Sequence, residues 1–279
     1  MARRLKSRHK ANNETGKLIG AVLLASITLA AAAGGVYLWA TTPVPIQRDK
    51  VTLCPATPPK DIIVTVLDTT DGLPPAARSE AMTLLTDVVE ASPKDALFEL
   101  RVVDPKVRAG RVILTLCNPG DGHDLSEINA NPKRIREIWR DRFREPLIKE
   151  LEGSLHAAPS NASPLLATFQ GIALDRFTGA RVAGAHKRLI IVSDMIEHVP
   201  GVYTHYPPAD LSYARFKASP HYRQVRTDLH GASVDILYID RRIPGLHTGR
   251  HIQFWLDWIA DNGGKIENDP LKLQGAGKS

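Results

Sequence analysis

The sequence lacks the short motifs by which several large classes of enzyme are recognised. It contains no G-x-S-x-G nucleophile elbow, no G-x-G-x-x-G turn between a strand and a helix, and no Walker loop. Its ten histidines are accompanied by only two cysteines and by no H-E-x-x-H pair, so a zinc site is not indicated. These absences argue against nucleophilic hydrolases, nucleotide-binding enzymes and zinc enzymes. We therefore expect the protein not to be an enzyme.

Most of the chain carries almost no net charge. The net charge is +6, but residues 1–17 contain six basic residues and a single acidic residue, Glu14. The residues after position 17 therefore sum to only +1. Such a balance does not indicate a surface for nucleic acid.

One long uncharged segment is present, from Leu18 to Ala40. It is long enough to cross the hydrocarbon core of a bilayer as a helix, and Tyr37 and Trp39 lie where aromatic rings favour the headgroup layer. We predict a single-pass transmembrane helix over 18–40, with the basic tail 1–17 in the cytoplasm. The rest of the chain would then lie on the periplasmic or extracytoplasmic side of the inner (cell) membrane. A signal peptide cleaved near Ala31-Ala32-Ala33 is the alternative.

Composition divides the remaining chain into three parts. Residues 41–60 contain five prolines and predict a stiff linker. We predict one extracytoplasmic domain over residues 61–268. Residues 269–279 should form a polar tail that frays. Cys54 and Cys117 both lie in the exported part, where an even pair of cysteines is a candidate disulfide. Two buried free thiols are the alternative.

The predicted domain alternates between strands and helices. "DIIVTVLD" and "KRLIIVSD" are almost wholly apolar, as strands covered on both faces are. "ALFELRVVD" and "RVILTLC" read as a hairpin-like pair of strands, and "ASVDILYID" reads as a further strand. Helical periodicity separates these strands, with a kink expected at Pro146. The pattern predicts an α/β layer structure with a mostly parallel sheet.

Side chains that carry oxygen occur at three ends of these predicted elements. Asp68-Thr69-Thr70-Asp71 follows the first strand, Ser163 begins a helix, and Ser193-Asp194 ends another strand. In parallel α/β sheets, ligands gather at the carboxyl ends of strands. Carboxylate and hydroxyl oxygens without any soft ligand suit a hard cation such as Mg²⁺. Glu197 follows closely and could border the site, although an exposed loop position is the simpler interpretation.

The order of these motifs resembles the von Willebrand factor type A (vWA) domain and its metal-ion-dependent adhesion site. The family's first motif is D-x-S-x-S after the first strand; here Asp68 and Thr70 match its first two positions, and Gly72 stands at its second serine. Ser163 in "NASPLLATF" is similar to the family's threonine. Asp194 in "IIVSDMIEH" is similar to its later aspartate, with Met195 in place of the usual glycine. "FWLDWIADNGGKI" resembles the closing helix, so the likeness covers about residues 60–266.

The resemblance implies a Rossmann-like vWA fold, with a mostly parallel sheet, one antiparallel edge strand and helices on both faces. It implies metal ligation by Asp68, Thr70, Ser163 and Asp194, with Thr69, Asp71 and Glu197 as possible neighbours. The departures at Gly72 and Met195 leave a degenerate, metal-free site as the alternative to a Mg²⁺ site. The family topology also brings Cys54 and Cys117 to the same end of the sheet, away from the metal site.

The function implied is that of a membrane-anchored module that binds a protein partner and serves as a subunit of a membrane-associated assembly. A bound Mg²⁺ would accept a carboxylate from that partner. One alternative is a metal-free structural subunit of a secretion or transfer complex. A metal-assisted hydrolase is a further alternative, but the sequence shows no nucleophile or positioned base for it.

Overall fold

A computed structural model describes residues 5–41, 46–123, 125, 131–156 and 160–273. The chain divides into two units, one of which contains the amino-terminal helix and the other the remaining elements. Residues 1–4 of the predicted tail and 42–45 of the predicted linker lie outside the described residues. The domain limits drawn from composition stay a prediction.

The amino-terminal unit is the long helix α1, Leu5–Thr41. Within it, Gly16–Tyr37 is the one described segment that is long and apolar enough to cross a membrane. Its apolar side chains are exposed, as they would be against lipid. Ser26 and Thr28 donate their hydroxyls to carbonyls four residues earlier, both at 2.8 Å, so these polar groups are satisfied within the helix. The predicted apolar helix is confirmed.

A six-stranded sheet forms the centre of the second unit, in the order β3-β2-β1-β4-β7-β8. β3 pairs antiparallel with β2 at one edge, and every other neighbouring pair is parallel. This arrangement confirms the predicted fold class. The strands are β1 Asp61–Leu67, β2 Leu97–Asp104, β3 Val107–Cys117, β4 His186–Ser193, β7 Ser233–Ile239 and β8 Leu271–Leu273.

Helices cover both faces of this sheet, and a small hairpin of β5 (His198–Val199) and β6 (Tyr203–Thr204) follows β4. A π-helical turn at Arg140–Arg144 stands immediately before the kink expected at Pro146 and interrupts the predicted long helix. The helices are α2 Pro75–Ala91, α3 Pro132–Trp139, α4 Glu145–Ser154, α5 Leu165–Ile172, α6 Tyr213–Ala218, α7 Pro220–Val225 and α8 Thr248–Asp261.

Two apolar cores lie on opposite faces of the sheet. Along β1, Ile62, Val64 and Val66 pack into the core that includes α5 and α8. Ile63 and Leu67 pack into the other core, which includes α2 and α4. Side chains alternate between the faces of a strand, so a central strand covered on both sides needs apolar residues at almost every position. This explains the unbroken apolar run of β1.

The second half of the predicted linker is packed against the domain. Cys54 and Cys117 form a disulfide, which confirms the predicted pair over the alternative of free thiols. Leu53 is buried, and the amide of Cys117 donates to the carbonyl of Thr52 at 2.8 Å. An apolar side chain and a covalent bond therefore fix the segment Thr52–Cys54 of the predicted linker to the domain.

The predicted polar tail also contributes to the sheet. β8 adds a short parallel strand to β7, pairing Leu237 with Leu271 and Ile239 with Leu273, and Leu273 is buried. Fraying is therefore wrong for Leu271–Leu273. Leu273 packs into the core that includes α2, on one face of the sheet. Lys272, the residue before it, points to the other face because side chains alternate along a strand.

Candidate functional site

The carboxylate of Asp68 is the centre of the predicted site. This residue is 3% exposed, and its Oδ1 accepts hydrogen bonds from the amide and the hydroxyl of Thr70 at 3.2 and 2.7 Å. Its Oδ2 accepts from the hydroxyl of Ser163 at 3.1 Å and from that of Ser193 at 2.7 Å. Three distant segments of the chain therefore meet at one carboxylate, as their positions at element ends led us to expect.

Backbone pairing fixes these segments in place. The amide of Asp68 donates to the carbonyl of Val192 at 2.9 Å, which continues the β1–β4 ladder one step past the strand. Ser163 and His198 exchange two backbone hydrogen bonds, at 2.8 and 2.9 Å. The start of α5 is thereby fastened to the hairpin that follows β4, and the Ser163 hydroxyl is directed at Asp68.

Asp194 lies beside this centre and is 5% exposed. Its Oδ1 accepts from the amide of Ile196 at 3.0 Å, and its Oδ2 accepts from the Nε of Arg241. Burial and the nearby charge of Asp68 raise the pKa of Asp194, while Arg241 acts in the opposite direction. A positive charge at the position of Arg241 therefore favours the ionised form of Asp194.

The two departures from the family motif both have a left-handed backbone. Met195 has φ of 62° and Gly72 has φ of 66°. Glycine adopts this conformation freely, whereas a side chain there costs on the order of 1 kcal/mol. Met195 thus has a backbone conformation that glycine adopts freely, while its side chain is buried in the core. Gly72 has the residue type that its backbone favours, and offers no hydroxyl.

Arg241 is the residue of the site that sequence reasoning missed. It lies two residues after the end of β7, the strand next to β4, and is 21% exposed. Its Nε donates to Asp194, and its Nη2 donates to the carbonyl of Gly72 at 2.5 Å. The available signal was its place at the same edge of the sheet as Asp68 and Asp194. We define the rim site as Asp68, Thr70, Ser163, Ser193, Asp194 and Arg241.

The carboxylates of the rim site have little capacity left for the divalent ion that the resemblance implies. Four donors already occupy the carboxylate of Asp68, which has about four acceptor positions. Both oxygens of Asp194 have protein donors, and one of these donors is a cation.

The predicted neighbours of the site have different roles. Thr69 is buried, and its carbonyl accepts from the amide of Gly72 at 3.0 Å. Asp71 is exposed and accepts from the hydroxyl of Tyr206 at 2.8 Å. The expected exposed position of Glu197 is wrong, because this residue is fully buried. Its carboxylate accepts from the amide of Leu166 at 3.0 Å at the start of α5, and burial raises its pKa.

A cleft of about 430 Å³ lies beside Arg241. Arg78 borders the same cleft; its Nη2 donates to the carbonyl of Leu73 at 3.1 Å, and its Nη1 lies 2.6 Å from Nε2 of His156. Asp71 also borders the cleft, so the walls carry two guanidinium groups and one carboxylate. Such walls suit an anionic group better than a cation.

Comparisons with known proteins give likenesses among solved structures only. No protein-family model matches the chain, and no curated protein matches it. The conserved hypothetical protein BatB from Bacteroides thetaiotaomicron is 13% identical with a TM-score of 0.37, over 77% of this chain and 91% of that one. An aerotolerance-related membrane protein from Bacteroides fragilis is 12% identical with a TM-score of 0.34, over 77% and 90%.

The pilus adhesin SpaC from Lactobacillus rhamnosus GG is 11% identical with a TM-score of 0.38. The likeness covers 80% of this chain but only 29% of that protein. The fold assignment rests on the strand order and strand directions described above.

Proposed function

We propose that this protein is a single-pass membrane protein whose extracytoplasmic vWA-like domain binds a protein partner through the rim site. The observation that carries the proposal is the convergence of three distant segments on the carboxylate of Asp68. Loops at the carboxyl ends of parallel strands are where α/β sheets bind their ligands. The helix α1 would hold the domain at the inner (cell) membrane, with the amino terminus in the cytoplasm, as part of a membrane-associated assembly.

Binding is favoured over catalysis by how the hydroxyls of the rim site are used. Ser163 and Ser193 both donate to Asp68, and neither hydroxyl has a histidine partner among the residues that the structure describes. A serine nucleophile needs an adjacent base that accepts its proton. Here the hydroxyls organise a carboxylate instead. We therefore propose a binding module and not a hydrolase.

The dependence on Mg²⁺ stays a prediction from the resemblance. Gly72 supplies no hydroxyl, and Arg241 already pairs with Asp194. Both features favour the metal-free alternative, in which the rim binds its partner by shape, hydrogen bonds and charge. This form is also compatible with a structural subunit of a secretion or transfer complex.

Photo-crosslinking in intact membranes tests the proposal. A photoreactive residue at Val202, which is 59% exposed in the hairpin that the Ser163–His198 backbone hydrogen bonds hold beside the rim site, reports on the rim. The matched control places the same residue at His186, which is 91% exposed at the amino end of β4. We expect one protein, identified by mass spectrometry, to be captured from Val202 and not from His186. No recurrent protein adduct at Val202, or equal capture from both positions, would contradict the proposal.

A further inference from the structure

We infer that the guanidinium of Arg241 takes the place of a divalent cation at the rim site, so that the site works without metal and meets a partner carboxylate directly. This inference rests on the proposed function, because the partner is the one that the rim is proposed to bind. It goes further by naming the charged group that receives the partner and the chemistry of the group received.

The electron pairs of Asp68 are already used within the protein. Its two oxygens accept four hydrogen bonds, so an ion could bind directly to this carboxylate only by displacing or reorienting the donors. Mg²⁺ demands near-octahedral geometry and loses its waters reluctantly. The centre of the site is therefore complete as a hydrogen-bonded network.

Arg241 supplies a fixed positive charge between two loops of the rim site. A guanidinium in a protein keeps its positive charge, and it matches the geometry of a carboxylate. Arg241 bridges Asp194 after β4 and the carbonyl of Gly72 after β1, and so links two of the loops that a metal would link. A divalent ion placed among the same groups would be repelled by this charge.

One nitrogen of the Arg241 guanidinium is available to a partner protein. Nη1 of Arg241 has no hydrogen-bond partner among the described residues and is not a buried atom. The residue borders the cleft that Arg78 also borders. A carboxylate on a partner protein could therefore accept a charge-assisted hydrogen bond from Arg241 itself, without a bridging ion.

Divalent-ion binding to the full-length protein in detergent tests the inference. The protein is treated with EDTA and dialysed, and Mn²⁺ binding is then measured by calorimetry. Tm is measured with and without about 10 mM Mg²⁺, roughly ten times the dissociation constant of a site with millimolar affinity. We expect the wild type to show neither saturable Mn²⁺ binding nor a Mg²⁺-dependent Tm. Arg241→Gln should gain both, because it removes the cation and keeps Asp194.

The matched control is Arg242→Gln. Arg242 is the neighbouring, exposed arginine, so this change removes the same charge without touching Asp194, and it should behave like the wild type. Adding Asp194→Asn to Arg241→Gln should abolish the gained binding. If Arg241→Gln does not fold, as shown by circular dichroism, Arg241→Lys keeps a charge and should still exclude the ion.

Two results would overturn the inference. One is saturable, one-to-one Mn²⁺ binding by the wild type, which needs no variant to be observed. The other is absence of binding from both the wild type and a folded Arg241→Gln. These outcomes are independent of the crosslinking at Val202. Metal binding by the wild type would contradict the inference, but a partner captured at Val202 would still support the proposed function. In the membranes, EDTA should leave capture unchanged, and Arg241→Gln should reduce it about tenfold.

Discussion

His205 and His251 lie in direct contact inside the domain, with Nδ1 of the first 3.0 Å from Nε2 of the second. Both residues are fully buried. Nδ1 of His251 also lies 2.9 Å from the hydroxyl of Tyr238. This pair joins α8 to the segment after the hairpin β5–β6, and it couples the stability of the domain to pH.

The two buried histidines should make the folded state lose stability as the pH falls below about 6.5, whereas the raised pKa values of Asp194 and Glu197 act in the opposite direction. Burial lowers the pKa of His251 from 6.5 to about 4 and holds that of His205 well below its usual value. Below pH 6.5 the unfolded chain therefore binds protons that the folded chain does not. The stabilisation is complete above the unfolded pKa and is lost on acidification, by up to about 1.4 kcal/mol per pH unit for each histidine.

Urea titrations measure how the free energy of unfolding changes with pH. They are made on the full-length protein in detergent between about pH 7.5 and 4.5, a range of about three units around the histidine pKa. His251→Gln should be less stable at neutral pH and should show a shallower decline on acidification. The matched control is His186→Gln, at a position that is 91% exposed, and it should keep the wild-type slope. Equal slopes for wild type and His251→Gln would contradict the assignment.

Removal of the Cys54–Cys117 disulfide should destabilise the domain. The bond joins residues 63 positions apart, and cross-linking such a segment restricts the unfolded chain. We expect Cys54→Ala with Cys117→Ala to lose about 2–4 kcal/mol of the free energy of unfolding, measured in urea. Dithiothreitol should lower the wild type to the level of the double variant and leave the variant unchanged. A reductant effect of equal size on both proteins would show that the bond is not its origin.

The ion pairs of Glu99 should contribute strongly to stability. Glu99 and Arg101 are 0% and 1% exposed, and the carboxylate also pairs with Arg176. Burial raises the pKa of Glu99, but Arg176 and Arg101 outweigh it, so this pKa lies below its ordinary value. Glu99→Gln would leave the buried Arg101 with only the half-exposed Asp175, 3.1 Å from its Nη1, as a charged partner, which costs about 3–5 kcal/mol. The free energy of unfolding in urea measures this loss.

An exposed ion pair supplies the control for Glu99. Asp210 and Arg215 pair at the surface, where water screens both charges, so Asp210→Asn should cause no measurable change. A loss for Glu99→Gln as small as that for Asp210→Asn would show that Arg101 finds another partner.

The sequence was sufficient for the residues whose place depends only on the order of elements. Asp68, Ser163 and Asp194 each stand at the end of a strand or the start of a helix, and parallel strands bring such ends to one edge. Arg241 could not be assigned in the same way. Its role depends on where a long, flexible side chain reaches, and the neighbouring Arg242 is the same residue type.

The local sequence pattern also failed to predict the burial of Glu197 and the short strand β8. Glu197 looks like a loop residue, yet the pairing of Ser163 with His198 folds the hairpin over the start of α5 and buries it. β8 has three residues, too few for a period-two pattern to be distinguished from a tail. Both outcomes were decided by tertiary packing.

The loss of Asp68 should have the same cost with and without divalent ions. Asp68→Ala would leave the donors of Thr70, Ser163 and Ser193 without their common acceptor inside a buried site. Unsatisfied buried donors cost about 1–3 kcal/mol each, and rotation of the hydroxyls recovers part of this, so we expect a loss of about 2–4 kcal/mol. Urea unfolding in EDTA and in Mg²⁺ measures it for the full-length protein.

The control for Asp68→Ala is Asp71→Ala, three residues further along the same loop. Asp71 is exposed, and among the described residues its side chain accepts only from the hydroxyl of Tyr206, which water can replace. This variant should therefore unfold almost like the wild type. If Mg²⁺ stabilised the wild type but not Asp68→Ala, the carboxylate would be a metal ligand, and the network of four protein donors would not be its resting state.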